Sequence, residues 1–377
     1  MNEKEIGELR RHIRPDRSGI THVRGCYVNE SGEIIAQFNQ SLAMMTGEES
    51  EKFLALLRKV LSGTVGKNLI DISFETQQVV SGEEHKLLMD LRKSGLHDEE
   101  AVQALFQKCI ASLHLEGNYL ILLASDTYDV PYRSTDGEQQ EDASNEVFSY
   151  ILCSICPVKQ TKPALSYYVQ ANEFHERKMD DLVSPPELGF LFPAFDERST
   201  NLYNALYYNR DPGESYPEFV EAMFRTPPPM AANTQKETFQ SVLGETLGDD
   251  CSYEVVQAVH GQFCSLIQEH KESKDPELLT ISRHTVRQVL EECGVPETRV
   301  ETFDQRYDEA FGEDADLSPK NLVNGKQIEL KTPDVTIKVN AERSDLVQTK
   351  IIDGKRYILI RADEGVEVNG VNIHIME

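Results

Sequence analysis

Apolar positions along the first part of the chain recur with two different periods. A short polar helix is expected over about 2–14, stopped by Pro15. Two runs of strand character follow, Ile20–Val28 and Glu33–Phe38, and Asn29-Glu30-Ser31-Gly32 between them reads as a hairpin turn. Phe53, Leu54, Leu57, Val60 and Leu61 then fall on one face of a helix. Leu69–Phe74 reads as a strand, with helices expected at 83–93 and 98–114. Asn118–Ala124 is almost wholly apolar, the pattern of a strand buried on both faces. Val147–Val158 is a second such run, and the polar stretch Ser125–Asn145 between them reads as a long loop.

From about 216 the period becomes helical, with segments at 216–224, 234–247, 252–271, 282–293 and 300–311. Pro227-Pro228-Pro229 and Asp275-Pro276 break the series, and Asp316–Pro319 reads as a linker. Beyond it, Asn324-Gly325, Asp353-Gly354 and Asn369-Gly370 each sit between β-rich runs. These pairs supply the positive φ angles of tight hairpins and predict a small antiparallel sheet over 322–375. The expected class is α+β, in three parts: a mixed α/β region over 1–213, a helical region over 214–318 and an antiparallel β region over 319–377.

With 377 residues, 39% hydrophobic and 27% charged, this is the composition of a folded chain with more than one core. The net charge of −26 is unevenly spread. Residues 61–320 hold 21 Lys/Arg against 46 Asp/Glu, whereas residues 1–60 hold nine of each and residues 321–377 eight against nine. Most of the surface therefore repels phosphate backbones and anionic membranes. Seven scattered cysteines, at 26, 109, 153, 156, 251, 264 and 293, make no disulfide framework and suit a reducing compartment. No run approaches the roughly 18 apolar residues of a membrane span. Nor does the N-terminal stretch have the apolar core of a signal peptide, so a cytoplasmic location and no membrane partner are expected.

Several constellations invite a chemical reading, and each has a plainer one. Gly63-Thr64-Val65-Gly66-Lys67-Asn68 has Leu61 where a phosphate loop needs glycine and Asn68 where it needs Ser or Thr, so a helix end leading into a strand explains it better. Cys153-Ser154-Ile155-Cys156 has no second ligand pair for zinc and lies inside an apolar run, which makes two small buried residues the plain account. Asp126 and Asp129 follow an apolar strand, with Asp136, Glu138, Glu141 and Asp142 downstream. Their oxygens suit a divalent cation such as Mg²⁺ or Ca²⁺, though a solvated acidic loop is commoner, and no metal-ligand motif is assigned. His175 and Asp196 flank an apolar segment and have the chemistry of an acid–base pair. A surface histidine, and a cap for a helix starting near 200, are the plainer expectations for that pair. The one basic cluster is Arg10, Arg11, Arg14, Arg17 and Arg24 with His12 and His22, opposed locally only by Asp16. Such a cluster suits an anion, an RNA or an acidic protein, unless it pairs with the chain's own acidic middle.

Several runs are shared with one family: Gly63-Thr64-Val65-Gly66-Lys67-Asn68-Leu69, Tyr128-Asp129-Val130-Pro131, Leu188-Gly189-Phe190-Leu191-Phe192-Pro193-Ala194-Phe195-Asp196-Glu197-Arg198-Ser199-Thr200 and Lys331-Thr332-Pro333-Asp334-Val335. On these the chain resembles, over essentially its whole length, the bacterial (Firmicutes-type) family called domain of unknown function 4317. The resemblance implies a bacterial cytoplasmic protein and no activity, cofactor or catalytic residue. In order of elements alone the chain is also similar to bacterial nucleoid-associated proteins. The function expected is a non-enzymatic binding or scaffold protein, its partner a protein, or a nucleic acid reached through the N-terminal arginines. The alternative is a metal-dependent hydrolase using Asp126 and Asp129 with His175 or Asp196, which requires those side chains to converge in one cleft.

Overall fold

A computed structural model of the chain describes every residue except 134–138, 178, 215, 314, 364, 369 and 374–377, and gives the backbone alone for 132, 133 and 139–146. Contacts divide it into two compact units, Met1–Ala231 and Ala232–Glu377. The class is α+β. Among the described residues no helix is long and apolar enough to cross a membrane.

The strands of the first unit are β1 (His22–Val28), β2 (Ile34–Ser41), β3 (Leu69–Ser73), β4 (Tyr119–Arg133), β5 (Gln139–Gln160), β6 (Ala164–Tyr168), β7 (Glu173–Arg177), β8 (Asp181–Val183), β9 (Leu188–Phe192), β10 (Ala194–Asp196), β11 (Ser199–Asn201) and β12 (Asn204–Asn209). Its helices are α1 (Glu3–His12), α2 (Gly47–Lys59), α3 (Thr76–Ser81), α4 (Glu83–Ser94), α5 (Glu99–Ser112) and α6 (Pro217–Phe224). The main sheet runs β2-β1-β4-β5-β9-β12-β3, antiparallel at every step, with β8 beside the end of β5.

Side chains alternate across a strand, and here both faces are covered. From β4, Tyr119, Ile121 and Leu123 enter a core with Leu88, Leu105, Phe106 and Phe224, supplied by α4, α5 and α6. Leu120, Leu122 and Ala124 enter the opposite core with Ile6, Leu9, Leu54 and Leu57 from α1 and α2. This two-sided burial is why 118–124 reads as continuous apolar sequence. Gly25 of β1 lies opposite Phe38 of β2, and a Cβ there would stand 2.0 Å from the ring, so the aromatic fills the space that only glycine leaves.

Two expectations for this unit are corrected. Ser125–Arg133 is not loop but the continuation of β4, paired as far as Asp129 with Val147 in regular register. Thr127, Tyr128 and Val130 favour a strand, and cross-strand pairing with Val147 and Phe148 outweighs the polar composition around them. Asp136 and Glu138 lie outside the described residues, and of Glu141 and Asp142 only the backbone, in β5, is described. No helix starts near 200, where β11 and β12 lie. Helix α6 belongs to this unit and buries Phe219, Val220, Met223 and Phe224 in the first core.

The second unit holds α7 (Ala232–Leu247), α8 (Tyr253–Ser273), α9 (Arg283–Glu292), α10 (Glu297–Phe311) and the single turn α11 (Pro319–Leu322). Their apolar stripes meet in one core that includes Phe239, Leu247, Phe263, Leu290, Phe303 and Tyr307. Among the described residues the final segment forms three separate two-stranded ribbons, not one sheet: β13 (Gln327–Lys331) with β14 (Thr336–Asn340), β15 (Val347–Ile352) with β16 (Lys355–Ile360), and β17 (Val366–Val368) with β18 (Val371–Ile373). Asp353 and Gly354 turn the second ribbon with φ of 50° and 76°, as that dipeptide demands. Asn324-Gly325 is instead the passage from α11 into β13, where the Asn324 side chain accepts a bond from the Lys326 N–H at 3.0 Å. The first ribbon turns further on, at Thr332–Val335.

Candidate functional site

Helix α1 presents two chemically different faces. Asn2 and Glu5 cap its start reciprocally, and Glu5, Ile6 and Leu9 are buried. His12 extends that inner face, its Nε2 3.2 Å from Asp126 Oδ2 but off the line of a good hydrogen bond. Glu8 accepts a bond from the Tyr128 hydroxyl at 2.6 Å and pairs with Arg198. The outer face ends in Arg10 and Arg11, and Arg14 follows the C-cap Ile13.

Arg10, Arg11 and Arg14 line a cleft of about 600 Å³ together with Gly7, Pro15, Asp16 and, from α2, Glu51 and Arg58. Arg58 is spoken for: it donates to the Ile13 carbonyl at 3.0 Å, closing the end of α1, and to Glu51 at 2.8 Å. Asp16 lies 3.7 Å from Arg17. The side chains of Arg10, Arg11 and Arg14 are exposed and make no ion pair or hydrogen bond among the described residues. Three guanidinium groups held on one rim raise one another's energy, and an anion in the cleft relieves that repulsion. Each can offer a carboxylate or phosphate two parallel N–H donors.

The structure thus keeps three of the five arginines together and separates two. Arg24 is buried in β1, where it makes a two-pronged pair with Glu99 at 2.8 and 2.7 Å. This is the self-neutralisation by the acidic middle that the plainer reading expects, and Arg24 alone of the five shows it. The arginine pair Arg17–Asp16 is solvent-exposed. Sequence reasoning missed Arg58 and Glu51. They are seven residues apart on an ordinary amphipathic helix, and nothing local ties them to the N-terminal cluster.

The acidic candidates do not gather. Asp126 is 2% exposed and saturated: Gly19 N–H and Thr127 N–H each donate to Oδ1 at 2.8 Å, and the Tyr150 hydroxyl donates to Oδ2 at 2.8 Å. Burial, with the Asp126 carboxylate beside it, pushes the Tyr150 phenol well above its ordinary value and keeps it a donor. Asp129, three residues on, points to the other face of β4 and is exposed. His175 sits on the β6–β7 ribbon, 3.2 Å from Glu173 and against the Tyr168 ring. Asp196 lies 2.6 Å from the Met1 amino group and accepts from Asn201 at 2.6 Å. Among the described residues no three His, Cys, Asp or Glu side chains are placed to hold one metal ion.

Cys153 and Cys156 are both fully buried, but three residues along a strand puts them on opposite faces, one in each core. They share neither a disulfide nor a ligand site, and burial pushes the Cys156 thiol up to about 12. In the Gly63–Asn68 turn, Asn68 ties its own loop to the end of β12: its side chain accepts from the Thr64 N–H at 3.2 Å and donates to the carbonyls of Asn209 and Arg210 at 3.1 Å each.

No curated protein and no solved structure matches the chain. One family model does, over residues 1–371, and on that match the chain belongs to the family described as Domain of unknown function (DUF4317).

Proposed function

We propose that this chain is a non-enzymatic cytoplasmic binding or scaffold protein that captures an anionic group of a partner in the arginine cleft of its first unit. One observation carries the reading. In a chain of net charge −26, Arg10, Arg11 and Arg14 line one concave site and none of their side chains forms an ion pair among the described residues. The favoured partner is a protein with an acidic segment. A cleft of about 600 Å³ accepts a few carboxylates, whereas a long nucleic acid continues beyond it over an acidic surface that repels phosphates.

The test is capture by the tagged full chain from its source cells, at low and moderate salt, with the eluate examined for protein and nucleic acid. A stoichiometric acidic protein is expected at low salt and weaker capture at moderate salt. Reversing all three charges (Arg10→Glu, Arg11→Glu, Arg14→Glu) should abolish it. Capture that survives the reversal overturns the assignment of the site, and recovery of nucleic acid alone overturns the choice of partner.

A further inference from the structure

The second unit contains a different opening. Every residue of β13, from Gln327 to Lys331, borders a groove of about 510 Å³ whose other wall comes from α7 and α8. Phe239, Leu243, Val256, Val259 and Leu322 make its floor. Strand side chains alternate between faces, so five consecutive residues border one groove only if it runs along the strand's edge.

That edge is open. Thr332 N–H donates to the Val335 carbonyl at 2.8 Å and Ala341 N–H to the Lys326 carbonyl at 3.1 Å, which sets the alternation of the ladder between them. The backbone groups of Ile328 and Leu330 therefore face β14, and those of Glu329 and Lys331 face away from it. Among the described residues no other strand pairs with β13. At the rim Glu329 has Lys338 4.0 Å away, whereas Lys236 and Lys331 make no ion pair among the described residues. Open amide groups beside an apolar floor, with two spare positive charges, match an extended chain with apolar residues at alternate positions and acidic residues near its ends.

We infer that this groove binds an extended, acidic-flanked peptide segment of a protein partner, added as a third strand to the β13–β14 ribbon. The site is independent of the arginine cleft and stands or falls without it. An amphiphilic carboxylate shares the apolar and anionic features but leaves the amide groups of Glu329 and Lys331 unmatched, which favours the peptide.

The experiment is selection of random displayed peptides on the immobilised full chain, followed by fluorescence anisotropy with labelled synthetic copies. The recovered peptides should alternate apolar residues and carry Asp or Glu at an end. Val256→Trp fills the groove from a position that is 42% exposed, and should weaken binding at least about tenfold with thermal unfolding unchanged. Methylating alternate peptide amides should abolish binding, and Lys236→Glu with Lys331→Glu should shift selection toward Lys and Arg flanks. The inference is overturned if no peptide is enriched, if binding ignores both Val256→Trp and amide methylation, or if dodecanoate binds in the groove where peptides do not.

Discussion

The central strands of the first unit and the terminal ribbons of the second are written in the same apolar, β-branched residues and end in opposite environments. Leu122 of β4 is fully buried, whereas Ile351 of β15 is 73% exposed. The difference lies in what covers the strands. β4 has a neighbour on each side and helices on both faces, while among the described residues each strand of the terminal ribbons pairs with one other strand. The enclosed central strands have no backbone left to offer, and the first unit's open chemistry includes the side chains of Arg10 and Arg11 in the last turn of α1 and of Arg14 just after it. The second unit offers backbone edges beside an apolar groove. The two proposed sites differ in the same way.

Cysteine labelling gives the widest contrast. Cys26, Cys109, Cys153 and Cys156 of the first unit are all buried, Cys251 and Cys264 of the second are partly accessible, and Cys293 is exposed. In native buffer, alkylation followed by mass spectrometry should mark Cys293 first and leave the four buried thiols unmarked until the first unit unfolds. Fast labelling of Cys153 and Cys156 would break the two-faced core. Next in size, Leu122→Ala should cost about 2–5 kcal/mol in urea unfolding. Ile351→Ala should stay within about 0.5 kcal/mol. A comparable loss at both positions would mean the ribbon is covered. Tyr150→Phe removes a buried donor to the Asp126 carboxylate and should cost about 1.5–3 kcal/mol.

The smallest effect is a pH dependence in the second unit. Burial holds His260 below its ordinary value of 6.5, with Lys236 adding to the shift and the bond to the Asn324 carbonyl opposing it. As pH falls through 6.5 the unfolded chain takes up a proton that the folded chain does not, so stability complete above 6.5 declines until the folded value is passed. His260→Gln should flatten that slope in the unfolding of the second unit.

Much of the fold was legible because periodicity reports burial. The two-sided apolar run at 118–124, the helical stripes from 216 and the Asp353-Gly354 turn all appear where the pattern puts them. The polar residues after Ser125 hid the continuation of β4, since pairing with β5 is a long-range fact that local composition does not carry. Asn324-Gly325 was a sound turn signal, but a dipeptide does not say which elements it joins. Of the site, the grouping of Arg10, Arg11 and Arg14 is visible in their spacing. Arg58 comes from another helix, and the loss of Arg24 to Glu99 depends on tertiary contact across 75 positions.

The direct measurement is titration of a labelled Asp/Glu-rich peptide into the full chain and into the variant Arg10→Glu, Arg11→Glu, Arg14→Glu, at low and moderate salt. The account predicts saturable binding to the unaltered chain, weakened by salt and abolished in the variant, which still unfolds cooperatively and loses only the favourable placing of Arg10 and Arg11 in the last turn of α1. Equal binding to both chains, or none to either, would contradict it.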